Sequence, residues 1–273
     1  MTFIRPLFAA LLLVLGGCKP SHAGPADQRE VWDDRPALLQ HFKARGATGT
    51  LVVLDSQDRR WIAADSRRAF ERFLPASTFK IPNSLIALES GVATDENQVF
   101  AWDGKERWLK DWNRDQTLTS AFKVSAVWVH QHIARSVGQA RMQQYLRDFR
   151  YGNAVAGPKV DGFWLDGDLR ISAVEQVDFL RRFNEGRLPI SARTEAAARR
   201  LMLRDSGPGY RLYAKTGWAG NDKDPALGWF VGWLERGERR TYFALNIDLP
   251  RDELGQQREP IVRAALKDLG YLD

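Results

Sequence analysis

Pro75-Ala76-Ser77-Thr78-Phe79-Lys80, running directly into the apolar stretch 81–88, is the segment around which this 273-residue chain is organised. A serine and a lysine three apart share one face of a helix, about one turn from each other. At a helix start the Ser77 hydroxyl and backbone N–H stand at the positive end of the dipole. Phe79, Ile81 and Leu85 surround Lys80 with apolar groups, and desolvation there favours a neutral amine. A neutral amine beside a serine hydroxyl can take its proton, so Ser-x-x-Lys is a nucleophile with its base attached. The same residues also describe a helix cap and a solvated lysine. The rest of the chain decides between the two.

Strand signals lie towards both ends. Residues 48–55 are apolar and β-branched, and 59–64 read as their hairpin partner across the turn at 56–58. Residues 210–216, 227–235 and 241–248 are three more strands, the last two joined at Arg236-Gly237-Glu238. Helix signals fill the middle. The Ser77 helix runs to Glu89 and stops at Gly91, with Pro82 weakening its first turns. Residues 118–137 and 138–149 are helical patterns split at Gly138, while 95–115 and 151–162 are irregular. Ser172 to Glu175 is a capping box opening a helix that closes near Gly186, and Thr194-Glu195 opens another that runs to Leu203. A short helix at 36–43 and an amphipathic one at 257–269 complete the chain. The expected class is α+β: an antiparallel sheet flanked by terminal helices, with a helical subdomain inserted at roughly 77–203 of a single domain spanning 24–273. A site at the seam between sheet and helices would draw on both.

The first residues read as a leader. Arg5 precedes an apolar run at 7–15 that is too short to span a bilayer and has the form of a secretory signal. Leu15-Gly16-Gly17-Cys18 resembles a lipoprotein box, whose cysteine would be lipidated and tether the chain to a membrane; Ser21-His22-Ala23 fits ordinary cleavage after 23. Either route exports the chain, and the expected location is the periplasm. Cys18 is the only cysteine, so the mature chain relies on its core rather than on disulfides. The net charge of +6 comes from dispersed arginines without a phosphate loop or zinc-finger spacing, which argues against a nucleic-acid partner. Four histidines at 22, 41, 130 and 132 have no metal-ligand spacing, so no metal is expected.

Beyond Ser77 and Lys80 the chain carries, in order, Ser125-Ala126-Val127, Tyr151-Gly152-Asn153, Trp164 and Lys215-Thr216-Gly217. Singly these read as a helix cap, a loop, a core tryptophan and a strand end. Together, Ser-x-x-Lys, a second serine motif and Lys-Thr-Gly are the signature of penicillin-recognising serine enzymes. With Ser-Ala-Val in place of Ser-Asp-Asn, and with Tyr-Gly-Asn following, the whole mature chain resembles the class D β-lactamases, the oxacillinase group.

The resemblance implies a role for each position. Ser77 would be the nucleophile that opens the ring of a penicillin-type antibiotic. Lys80 would be carbamylated by CO2 and serve as general base, with no other cofactor; Phe79 and Val127 would keep its amine neutral. Trp164 would hydrogen-bond the carbamate, and Ser125 would pass a proton to the β-lactam nitrogen. Backbone N–H groups of Ser77 and Trp218 would form the oxyanion hole. Lys215, Thr216 and Arg258 would hold the substrate carboxylate beside Gly217, which lets a ligand approach the backbone; Arg251 and Arg263 compete with Arg258. Tyr151-Gly152-Asn153 would shape the cleft wall. A transpeptidase that deacylates slowly and a β-lactam sensor are the rivals. Loops at 95–115 and 218–226 would set substrate preference, and both a monomer and a homodimer are compatible with the sequence.

Overall fold

The computed structural model describes residues 30–220 and 225–273. The leader, with Cys18 and both cleavage sites, and part of the 218–226 loop lie outside the described residues.

In chain order the elements are β1 (Val31–Asp34), α1 (Leu39–Lys43), β2 (Gly49–Asp55), β3 (Arg60–Ala63), α2 (Ser66–Phe70) and α3 (Lys80–Glu89). There follow β4 (Val99–Phe100), β5 (Gln116–Thr117), α4 (Leu118–Lys123), α5 (Val127–Val137), α6 (Gln139–Asp148), α7 (Ala173–Asn184) and α8 (Ala192–Met202). The chain closes with β6 (Leu203–Gly207), β7 (Tyr210–Ala219), β8 (Leu227–Arg236), β9 (Arg239–Asp248) and α9 (Arg258–Asp268).

Among the described residues a seven-stranded sheet has the order β1-β3-β2-β9-β8-β7-β6. It joins the first strands of the chain to the last through β2 and β9, paired from Gly49–Ile247 to Asp55–Thr241. The pairings are antiparallel except β1 on β3, which is parallel and makes the sheet mixed. Strands β2, β8 and β9 are buried along nearly their whole length because both of their faces are covered. On one face Val52, Leu54, Trp229, Val231, Trp233, Tyr242 and Ala244 pack against the helical part. On the other, Leu51, Val53, Phe230, Phe243 and Leu245 pack with Phe42 of α1 and Ile261, Ala265 and Leu266 of α9. The period of two along a strand divides these residues between two cores.

Four expectations need correction. Strands β1 and β6 were not legible, because each is a mostly exposed, polar edge strand held by main-chain bonds rather than by an apolar pattern. Residues 118–137 are not one helix: α4 ends in a reversal before α5 begins. Helix α8 starts two residues earlier than Thr194, because Ser191 caps it by accepting from the Thr194 N–H. Pro82 does not weaken α3: it is the third residue, in the turn where N–H groups lack intrahelical acceptors anyway. The capping box at Ser172 and Glu175 forms in both directions.

Candidate active site

Ser77 lies in a 3-10 turn, Ala76–Phe79, that leads straight into α3. The residue before it, Ala76, has φ +50°, a left-handed conformation that costs a non-glycine residue about 1–3 kcal/mol and persists only where neighbours impose it. Those neighbours are identifiable. The Ala76 N–H donates to the Trp164 carbonyl at 3.0 Å. Thr78 Oγ1 donates to the Pro75 carbonyl at 2.6 Å and accepts from Gln176 Nε2 at 2.8 Å. From the sheet side, Gly217 comes so close that a Cβ there would lie 3.1 Å from both the Pro75 carbonyl oxygen and Thr78 Cγ2. Gly217 thus permits a close approach of β7 to the nucleophile's own turn.

Lys80 opens α3 fully buried, and its Nζ donates to Ser77 Oγ at 2.8 Å. Burial alone pulls its amine down to about 7, so near neutral pH a large fraction carries a free lone pair. Phe79 stacks on Trp164 with ring centroids 5.0 Å apart and meets Phe163 and Tyr151 edge-on. Tyr151 is thus buried beneath the turn rather than on a cleft wall. Asn153 ties down the loop that carries Trp164, donating to the Asp168 carbonyl at 2.8 Å and accepting from the Arg170 N–H at 3.0 Å.

Trp164 is fully buried, and its indole Nε1–H has no acceptor among the described residues. A buried donor left unpaired costs about 1–3 kcal/mol. A carbamate on Lys80 would supply the kind of acceptor this N–H is made for, so the residues present fit that group.

Ser125 is placed by the reversal after α4. The Ser125 N–H donates to Phe122 O at 3.3 Å and the Ala126 N–H to Ala121 O at 2.8 Å, the paired bonds that close a helix around a left-handed residue. That residue is normally glycine; here it is Ser125, with φ +57°. Its Oγ accepts from Lys215 Nζ, which also donates to the Thr216 carbonyl at 3.0 Å. Lys215 is buried, and burial followed by the charge of Lys80 pushes its amine well below the usual range. Two amines so placed oppose each other's protonation. Val127, half-buried, opens α5 one step further on.

Along β7, Lys215 and Gly217 lie on the face of Tyr213, towards the helical core, while Thr216 and Trp218 share that of Leu212. Arg258, at the start of α9, donates from Nε to Gly255 O at 2.5 Å and from Nη1 to Gly217 O. Its guanidinium carbon lies 5.8 Å from the Trp218 ring centroid, and burial lowers its pKa to about 10. Arg263 is engaged instead by Asp205 and Glu259, and Arg251 approaches Gly46. A hollow of about 670 Å³ is lined by Thr216, Trp218 and Arg258 together with Asp252, Glu253 and Glu259. Thr78 and Gln176 are the positioning residues that sequence reading missed; their only local signal was a polar pair within apolar helical faces.

A family model described as the penicillin-binding protein transpeptidase domain matches residues 49–267. The chain is 42% identical over 243 residues to β-lactamase OXA-48 of Klebsiella pneumoniae, covering 89% of this chain and 91% of that one. It is 38% identical over 267 residues to β-lactamase OXA-10 of Pseudomonas aeruginosa, covering 97% and 98%. A crystal structure of FUS-1 (OXA-85), a class D β-lactamase from Fusobacterium nucleatum subsp. polymorphum, superposes with a TM-score of 0.85 at 35% identity, covering 88% of this chain and all of that one.

Proposed function

The chain belongs to the class D β-lactamases, hydrolases of the β-lactam amide, and from that premise we propose that it opens penicillin-type rings through an acyl-enzyme on Ser77. The observation that carries this reading is the hydrogen bond between Ser77 Oγ and a buried Lys80 amine held at about 7.

The substrate carboxylate binds between Lys215, Thr216 and Arg258. The lactam carbonyl oxygen is received by the backbone N–H groups of Ser77 and Trp218, which stabilise the charge that develops on it. Ser77 Oγ attacks the carbonyl carbon while Lys80 Nζ takes its proton. The carbon–nitrogen bond then breaks, and the departing nitrogen takes a proton from Ser125, whose oxygen is held by Lys215 Nζ and is reprotonated with the proton that Lys80 took up. Water hydrolyses the resulting ester and frees Ser77. Lys80 and Trp164 would hold a carbamate formed from CO2, which supplies a carboxylate-type base when present. Trp164 contributes by presenting its N–H and by stacking on Phe79, and the full burial of Lys80 keeps bulk water away from Nζ. Export to the periplasm by the leader, with or without lipidation of Cys18, would place the enzyme where β-lactams arrive.

Intact mass of the mature protein, followed after adding a penicillin with bicarbonate present, tests the reading. The expected result is a transient adduct on Ser77 that clears within seconds as ring-opened product accumulates. An adduct that persists for hours would move the assignment to a transpeptidase or a sensor. Activity should fall when CO2 is stripped and return with bicarbonate; turnover indifferent to both would remove the carbamate from the scheme.

A further inference from the structure

Strands β6 and β7 pair out of step at one place: Leu203 faces Tyr213 but Asp205 faces Leu212, so two steps on β6 match one on β7. Arg204 is the extra residue of this β-bulge, a device that bends an edge strand and re-aims a side chain. Glu259 holds its guanidinium by the Nε–Nη2 edge, at 2.7 and 2.6 Å, and the Phe230 ring lies 5.5 Å from the guanidinium carbon. So placed, Arg204 lines two hollows that share Thr216. One is the larger hollow beside Trp218 and Arg258. The other, about 280 Å³, extends past Lys215 and is walled by Phe122, Lys123 and Leu203 together with Arg204, Lys215 and Thr216.

Lys123, Arg204 and the Lys215 amine line this smaller hollow, and among the described residues no carboxylate does. The charge of Arg204 also reaches its neighbours: after burial, it contributes to lowering both Lys215 and Arg258. Phe122 and Leu203 give the hollow apolar wall. Its volume falls short of the roughly 300–1,000 Å³ that encloses a whole drug-sized ligand. It suits one arm of a molecule whose core sits next door.

We propose that Arg204 and Lys123 form a second anion subsite, which takes an acidic substituent carried by the substrate on the ring carbon next to its carboxylate. This rests on the proposed β-lactam site, because Lys215 and Thr216 are the wall common to both. The preferred substituent is a short apolar linker ending in a sulfonate or carboxylate, its charge between Arg204 and Lys123 and its linker against Phe122 and Leu203.

The test uses two cephalosporins with the same acyl side chain, one with a neutral and one with a sulfonate-ended substituent at C3. Their kcat/KM ratio is measured for the mature wild type, Arg204→Gln, Arg204→Lys and Lys123→Gln. Wild type should favour the acidic compound by about fivefold or more, the scale of a partly exposed ion pair, and the preference should fade with added salt. Arg204→Gln and Lys123→Gln should each reduce the ratio, and Arg204→Lys should keep most of it. Lys123 is an exposed residue at the end of α4, so its variant reads the subsite even where loss of the Arg204–Glu259 pair unfolds the other. A wild-type ratio of one, or a ratio unchanged in both glutamine variants, overturns the subsite while leaving hydrolysis standing. Failure of wild type to turn over either compound, with no adduct on Ser77, overturns the site reading and the subsite with it.

Discussion

Replacing Lys80 with methionine exposes the energetic cost built into this site. The amine is fully buried, and burial lowers it from 10.5 to about 7. The difference, 10.5 minus about 7, is about 3.5 pH units; at about 1.4 kcal/mol per unit, holding this amine costs the folded state about 5 kcal/mol at pH values below 7. The sign follows from proton counting. Between pH 7 and 10.5 the unfolded chain binds a proton that the folded chain has released, so stability rises with pH through that window and is lowest below it. Methionine keeps an apolar stem without the titration, and loses one hydrogen bond to Ser77 worth about 1 kcal/mol. Lys80→Met should therefore be about 3–4 kcal/mol more stable than wild type at pH 7, about 10 °C in melting temperature for a domain of this size, and without turnover. At pH 9.5 the gap should shrink below about 1 kcal/mol. Urea unfolding of both proteins in CO2-free buffer at the two pH values measures it. Added bicarbonate should then stabilise wild type and leave Lys80→Met unmoved, since only wild type has an amine to modify. A variant less stable than wild type at pH 7, or a gap that ignores pH, would refute the claim that burial keeps this lysine neutral.

Trp164→Phe keeps a ring against Phe79 and deletes the buried N–H; acylation should survive while deacylation slows about 10- to 100-fold, the effect of losing a donor that orients a reactive group. Mass spectrometry would then show a lingering adduct on Ser77, and clearance at the wild-type rate would discard the role given to the indole. Gly217→Ala places a Cβ 3.1 Å from the Pro75 carbonyl, which as backbone cannot step aside, so the Ser77 turn must shift. The expected cost is about 1–3 kcal/mol in stability, with slower acylation. Wild-type melting and wild-type acylation together would show that the two segments have slack between them.

Legibility in the sequence followed how local each cause was. Strands β8 and β9 could be read because burial on both faces demands a central run of apolar residues, Trp229 to Leu234 and Tyr242 to Leu245. The capping box at Ser172 and the Ser77-x-x-Lys80 spacing could be read because each is satisfied within one turn of helix. Strands β1 and β6 could not, since a mostly exposed, polar edge strand is held by main-chain bonds, which leave no apolar pattern to read. The break inside 118–137 was hidden because the apolar period continues through it. What ends α4 there is tertiary: the Val124 carbonyl accepts from Trp112 Nε1 at 2.9 Å, and Ser125 is met by Lys215 from the sheet.

By itself, then, the sequence determined the inventory of the site: a serine with an amine one turn away, a second serine, a Lys-Thr-Gly strand end, and their order, all carried by short-range spacing. Only the tertiary structure decided how those groups behave. Lys80 is held at about 7 because the fold buries it completely. Ser125 faces Lys215 because a left-handed residue turns the chain there. Gly217 serves the Ser77 turn because β7 presses on it. Desolvation, backbone strain and close approach are properties of what surrounds a residue in space, and segments far apart in the chain supply those surroundings.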